Sequence, residues 1–270
     1  MTRQTPEADA LAPVRLRSGD TELAVVHRAA TSRGAAHVLF CGGFHSSMRG
    51  DKARAIEAFC VERGHACTRF DYRGHGESGG DPERLTLADW LDDALRVVDH
   101  VTRGSRPLIV VGSSMGAWLA VHVALRRPGR VAALALVAAA PDFLHERVPE
   151  ALDARARARL DEGLVARLAT PENPSGYPVT RELIDSGRAL ALLTTDAARA
   201  LDCPVRLLHG TADDVAPWQL AAALLEGVGS DDATLELVRG GDHRLSSPRD
   251  LVRLARILEE LCSADPPISR

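Results

Sequence analysis

Lysine is almost missing from this chain: Lys52 is the single one among 33 basic residues. We read this as a compositional bias without functional content. A basic excess is missing too, since the formal net charge is −4. That argues against a nucleic-acid binder, whose basic residues gather on one face. Cysteines number five (Cys41, Cys60, Cys67, Cys203, Cys262), an odd count without paired short spacings. This excludes a zinc ribbon or a secreted disulfide scaffold and predicts free thiols in a reducing compartment. No apolar run is long enough to span a membrane, and residues 1–20 are polar, without the apolar stretch of a signal peptide or a visible presequence. The expectation is a soluble, cytoplasmic protein.

What is present is an ordinary globular composition, 45% apolar and 26% charged over 270 residues. A chain of that length can form one large domain that buries roughly three quarters of its unfolded surface.

Residues 14–17 and 22–26 flank the turn signal Ser18-Gly19-Asp20 and predict an antiparallel hairpin. Residues 37–40 are a short, largely apolar run, as expected of a strand buried on both faces. A helix over 52–63, a strand over 66–70, a glycine-rich loop over 71–80 and a helix over 87–101 follow. The 71–80 loop has neither the spacing nor the lysine of a phosphate loop and reads as a tight turn. Strands are predicted at 107–111, 131–139, 204–208 and 234–238, with helices at 117–125, 218–225 and 248–262. Ser247-Pro248 opens the last of these helices as cap and first residue. Successive strand-helix-strand units make a parallel sheet whose ligands sit at the carboxyl ends of its strands.

The alternation breaks over 141–200, where the pattern is helical. A long amphipathic helix is predicted over 151–168, with Leu152, Leu160, Leu164 and Leu168 on one stripe and the arginines largely off it. A second helix, capped by Thr180, is predicted over 181–193. The resulting division is a core of 11–140 and 201–262, an inserted helical cap of 141–200, and flexible tails at 1–10 and 263–270.

The chemistry centres on Gly112-Ser113-Ser114-Met115-Gly116, placed between a strand and a helix. A serine with glycine two residues before and two after suits a sharp turn that pushes its hydroxyl out at the end of the sheet. A serine nucleophile needs a base, and that base needs an orienting acid. Of ten histidines, only His243 sits in a glycine-rich loop between the last strand and the final helix. His45 and His75 also lie on loops at the same edge but precede the serine. Trp118 and Trp218 read as packing residues or pocket walls.

In this arrangement the chain resembles the α/β-hydrolase superfamily: a mostly parallel sheet flanked by helices, with an inserted helical cap. The superfamily order of serine, acid, histidine implies Ser114, Asp213 and His243 as the catalytic set. Asp213 is preferred over its neighbour Asp214 because the His-Gly-x-x-Asp pattern beginning at His209 ends on it. The backbone N–H groups of Met115 and Phe44 are then the expected oxyanion donors, with Gly42 and Gly43 allowing the close approach.

Phe59-Cys60 and the stretches 64–72, 112–118, 203–218 and 242–244 resemble one branch of that superfamily, the palmitoyl-protein thioesterases that also cleave acyl glucuronides. Phe44, Met115 and Ala117 stand where that branch has tyrosine, leucine and glycine. The resemblance implies a cofactor-free, metal-free serine hydrolase acting on carboxylic thioesters or esters with an apolar acyl group, on a small molecule or an acylated protein. A general carboxylesterase, another serine hydrolase such as a perhydrolase or peptidase, and a ligand-binding protein that keeps the three residues are the alternatives.

Overall fold

The computed structural model describes residues 11–101, 107–170 and 173–263. The expected tail at 1–10, nearly all of that at 263–270, and Pro171 lie outside the described residues.

In chain order the elements are β1 (Val14–Ser18), β2 (Thr21–Arg28), β3 (His37–Cys41), α1 (Asp51–Arg63), β4 (Ala66–Phe70) and α2 (Leu87–Val101). Then come β5 (Leu108–Ser113), α3 (Met115–Arg126), β6 (Val131–Val137), α4 (Phe143–Glu146), α5 (Val148–Ala151) and α6 (Ala154–Asp161). The chain continues through β7 (Ala166–Leu168), β8 (Tyr177–Val179), α7 (Arg181–Ala189), β9 (Val205–Gly210), α8 (Trp218–Gly227), β10 (Ala233–Val238) and α9 (Pro248–Ser263).

Among the described residues, eight strands form one sheet in the order β1-β2-β4-β3-β5-β6-β9-β10. The β1–β2 and β2–β4 pairs are antiparallel, and every pair from β4 to β10 is parallel. This is the α/β-hydrolase fold. Buried side chains alternate between two cores, one on each face of the sheet. Leu39, Val110 and Leu134 pack with Trp90, Leu119 and Leu224 of α2, α3 and α8. Val38, Phe40, Ile109 and Val111 pack with Ile56 of α1 and Leu254 and Leu258 of α9. Strands buried on both sides have no solvated face, which is why they read as continuous apolar runs.

Register aligns the functional edge. Cys41 pairs with Gly112, Ser113 with Val137, and Gly210 with Val238. The loops after β3, β5, β6, β9 and β10 therefore leave the sheet at the same end.

The segment between β6 and β9 departs from the expectation. In place of one helix over 151–168 it has α5, α6 and then β7, which pairs antiparallel with β8. The break before α6 falls at Leu152, which is extended, and Asp153, whose side chain accepts from the Ala156 N–H at 2.7 Å as an N-cap. The stop comes at Gly163, whose φ of 73° lies in the left-handed region that glycine adopts freely. Leu152 and Leu160 are buried, whereas Leu164 is 45% exposed, so the leucine stripe is not continuous.

The second predicted helix ends at Ala189, not at 193. Side chains take over its backbone partners there. The Leu190 carbonyl accepts from Trp118 Nε1 at 2.7 Å and is 2.8 Å from His122 Nε2, while both Asp142 oxygens accept from the N–H groups of Leu192 and Leu193. Both ends of the 141–200 segment are thus tied to one another and to the helix after the serine.

Candidate active site

Ser114 lies between the last residue of β5 and the first of α3, with φ 56° and ψ −119°. A non-glycine residue in that region stores strain, on the order of 1–3 kcal/mol, and persists only where its surroundings over-determine it. Here they do. The Ser114 N–H donates to the Val137 carbonyl at 2.9 Å, and its own carbonyl accepts from the Ala117 N–H at 3.0 Å. A Cβ on Gly116 would overlap the carbonyl oxygens of Cys41 and Gly42, and one on Gly112 would overlap the backbone of Gly116 and Ala117. Both glycines are required by contact with backbone, which cannot move aside.

From this turn a chain of hydrogen bonds runs inward. His243 Nε2 lies 3.0 Å from Ser114 Oγ, and His243 Nδ1 lies 2.8 Å from Asp213 Oδ2. The carboxylate can only accept, so Nδ1 carries the proton and Nε2 is left free to accept from the serine hydroxyl. The Asp213 side chain is fully buried while His243 is about one fifth exposed; Asp214 faces solvent. Asp213 Oδ1 accepts from the N–H groups of Val215 and Ala216 at 3.0 and 2.8 Å. Burial alone would raise the Asp213 pKa. Hydrogen bonds from His209, His243 and the Ala216 N–H outweigh it and hold the carboxyl well below the usual carboxylate range. Ser114, Asp213 and His243 are therefore brought together as the sequence expects.

A fourth residue is present that the sequence reading passed over. His209, near the end of β9 and fully buried, places Nε2 2.8 Å from the Ala216 carbonyl and 3.0 Å from Asp213 Oδ2. The carbonyl fixes the proton on Nε2, and that one N–H is shared between the carbonyl and Asp213 Oδ2, the oxygen that His243 also contacts. The signal was available: a histidine that follows Leu207 and Leu208 on a buried strand must find a partner inside the protein.

Lys52 secures the loop that follows His243. Its Nζ donates to the Arg244 carbonyl and approaches Ser246 Oγ at 3.4 Å. Burial, with the nearby Arg244 charge, pushes this ammonium down to about 8 against the pull of Asp242, Asp51 and Asp250.

The loop after β3 comes against the serine turn. A Cβ on Gly43 would sit 3.3 Å from Ser114 Cβ and 3.3 Å from the Ser113 carbonyl. Phe44 follows, in a turn closed by Ser46 N–H to the Gly43 carbonyl at 3.1 Å. Neither the Phe44 nor the Met115 N–H donates to a turn or loop acceptor among the described residues. Trp90, Phe143 and Tyr177 stand edge-on to the Phe44 ring, at centroid distances of 5.7, 6.1 and 5.6 Å. Trp118 is buried and meets this group through Phe143 at 6.1 Å. No group of three or more histidine, cysteine, aspartate or glutamate side chains suited to a metal occurs among the described residues.

Residues 32–182 match the Hydrolase_4 family, serine aminopeptidase, S33. The chain is an α/β-hydrolase of this family. The hydrolase is 36% identical over 225 residues to the Homo sapiens palmitoyl-protein thioesterase ABHD10, mitochondrial, covering 83% of this chain and 72% of that one. Mouse α/β hydrolase domain-containing protein 10 superposes with a TM-score of 0.81 at 32% identity, over 93% of this chain and 98% of that one. A putative hydrolase from Agrobacterium vitis S4 superposes with a TM-score of 0.84 at 34% identity, over 93% and 98% of the two chains. It is an enzyme of the serine-hydrolase, esterase-like class. Among the described residues no helix is long and apolar enough to cross a membrane.

The His209 contact carries a pH-dependent prediction. His209→Leu should destabilise the protein by about 1.5–3 kcal/mol near neutral pH, because a buried carboxylate loses a charge-assisted donor. A carboxyl whose folded pKa is depressed contributes stability that is present above its unfolded value, about 3.9, and lost as pH falls through the folded one. Because the unfolded chain is common to both proteins, the deficit should hold from neutral pH down to the variant's own folded Asp213 pKa and shrink only below it, and His209→Gln, whose amide reaches the Nε2 position, should recover most of it. Denaturant melts of the three proteins at pH 7 together with NMR titration of the Asp213 carboxyl test this, and a His209→Leu variant whose Asp213 titrates with that of the unaltered protein would refute it.

Proposed function

We propose that the protein cleaves carboxylic thioesters or esters with an apolar acyl group through an acyl-enzyme on Ser114. The observation that carries the reading is the continuous Ser114–His243–Asp213 hydrogen-bond chain, built on a strained turn at the carboxyl edge of the sheet. Ser114 Oγ attacks the carbonyl while His243 Nε2 takes its proton. Asp213 holds the imidazole in the required tautomer and stabilises the imidazolium. The negative oxygen of the tetrahedral intermediate is met by the N–H groups of Met115 and Phe44. His243 returns the proton to the leaving thiol or alcohol, and water repeats the sequence to release the acid.

The 141–200 segment acts as the cap. Its Phe143 and Tyr177 lie against Phe44, so an acyl group reaching Ser114 meets aromatic surface, which suits an apolar chain. Similarity to a palmitoyl-protein thioesterase favours a thioester of a long acyl group, on a small carrier or on a protein cysteine.

A fluorophosphonate probe should label the folded enzyme at Ser114, located by peptide mass spectrometry. With acyl thioesters and p-nitrophenyl esters of increasing chain length, kcat/KM should rise with length. A decisive preference for acetyl over decanoyl and longer esters would overturn the long-acyl reading, and failure to label would overturn the hydrolase mechanism in favour of a binding role.

A further inference from the structure

His45 has an unusual position. It is the third residue of the Gly43–Ser46 turn, with φ 52°. That place in a turn favours glycine or asparagine, because a side chain there is strained. The Ser46 hydroxyl reinforces the closure by donating to the Gly43 carbonyl at 2.9 Å. In a turn closed this way the N–H of the second residue, Phe44, takes no part in the closure and stays available.

The ring that this strain accommodates is sandwiched. His75, from the 71–80 loop, stacks on one side of it with centroids 5.1 Å apart and planes 18° apart. Tyr177, the first residue of β8, stacks with centroids 4.6 Å apart and planes 19° apart. His75 is itself fixed from behind: its Nδ1 lies 3.0 Å from the Arg73 carbonyl, and its ring stands edge-on to Trp90 at 5.0 Å. Burial pushes both imidazoles down to about 4, with the neighbouring His75 adding to the effect at His45. Uncharged rings can stack at these distances without repulsion.

We infer that His45 is a positioning residue: its ring, held between His75 of the core and Tyr177 of the β7–β8 ribbon, keeps the Gly43–Ser46 turn in the geometry that presents the Phe44 N–H to the oxyanion. The inference rests on the proposed role of Phe44 as a donor. It gives a reason for a ring-bearing residue, in place of glycine or asparagine, at the left-handed position beside the nucleophile. It also makes Tyr177, more than 130 residues further along the chain, part of the support of the same donor.

Two pairs of variants test it, with kcat and KM measured on a p-nitrophenyl ester. His45→Asn keeps a residue that tolerates the left-handed region but removes the ring; His45→Phe keeps a ring. His45→Asn should lower kcat about 10-fold to 100-fold, up to the loss of one oxyanion donor, with KM within about 2-fold. His45→Phe should recover most of that loss. Tyr177→Ala should lower kcat similarly, and combining it with His45→Asn should add little, as expected for residues that act as one unit.

The donor role is tested separately. Phe44→Pro deletes the N–H at a turn position that proline favours, and Phe44→Ala retains it. Phe44→Pro should be about 10²-fold slower than Phe44→Ala. If the two are equally active, the donor reading fails and the inference with it. If Phe44→Pro is slower but His45→Asn turns over as the unaltered enzyme does, or His45→Phe falls as far as His45→Asn, the donor reading stands and the positioning role of His45 is overturned.

Discussion

Ser114→Ala should lower kcat by a factor on the order of 10⁶, because removing the nucleophile of such a triad costs nearly as much as removing all three members. Residual catalysis over water, on the order of 10³-fold to 10⁴-fold, would come from the oxyanion donors and binding alone. The fold should be unaffected. Alanine keeps the Cβ that the turn already tolerates at φ 56°, and the hydrogen bonds that hold the turn run through the Ser114 backbone. Stability is expected to change by roughly 0.5 kcal/mol or less. Steady-state hydrolysis and a thermal melt on the same sample separate the two effects. A variant that retains a tenth of the activity would mean that another group attacks the substrate. The neighbour Ser113 is the natural control: it belongs to β5 and is buried, so Ser113→Ala should leave kcat within about 10-fold of the unaltered enzyme, a loss through packing and not through the reacting atoms.

Glu57→Leu should produce the largest loss of stability. Glu57 lies on α1 with its side chain 2% exposed, and pairs at 2.8 Å with Arg69 of β4, which is 1% exposed. Its other oxygen accepts from Arg28 Nε at 3.3 Å. Removing one partner of a buried pair strips the other of its nearest opposite charge, which costs about 3–5 kcal/mol. At roughly 2–4 °C per kcal/mol for a domain of this size, the melting temperature should fall by about 10 °C. The double variant Glu57→Leu, Arg69→Met should recover much of this, since apolar replacement of a whole pair is often neutral. A single variant that melts with the unaltered protein would show that water reaches Arg69. The effect should extend toward the site, because Arg69 Nη1 also donates to the Met48 carbonyl at 2.8 Å while the Met48 N–H donates to Asp71 at 2.6 Å. Met48 is two residues beyond the turn that carries Phe44.

The parallel strands could be recognised from residue order because burial on both faces favours largely apolar runs, and β3, β5 and β6 are such runs, whereas β4 carries the buried Thr68 and Arg69. Asp213 and His243 were found for a different reason. Each follows a strand at the same edge, and the resemblance to the α/β-hydrolases supplied the order serine, acid, histidine and the His-Gly-x-x-Asp pattern that singles out Asp213. The 141–200 segment obeys neither constraint. Its leucines repeat at helical spacing across 152–168, but Asp153 as a cap and Gly163 as a stop divide that stretch, and the β7–β8 pairing depends on residues about ten apart in the chain. Local periodicity cannot weigh a cap against a continuing helix. His209 and His45 were missed because their roles are contacts: one with a carboxylate four residues away, the other with rings 30 and 132 residues away. A single histidine advertises neither.

The strand order β5-β6-β9-β10 also sets the order in which Ser114, Asp213 and His243 can come together as the chain is synthesised. Chains emerge from the ribosome amino end first, and the six strands through β6 can assemble around the completed serine turn. At that stage Ser114 has no His243 beside it. Asp213 arrives only when β9 joins the free edge of β6, and His243 only after β10 has been laid beside β9. The turn that carries Ser114 is thus complete before the strands that bring Asp213 and His243 are made, so a chain that ends before β9 holds the serine without either of the residues hydrogen-bonded behind it.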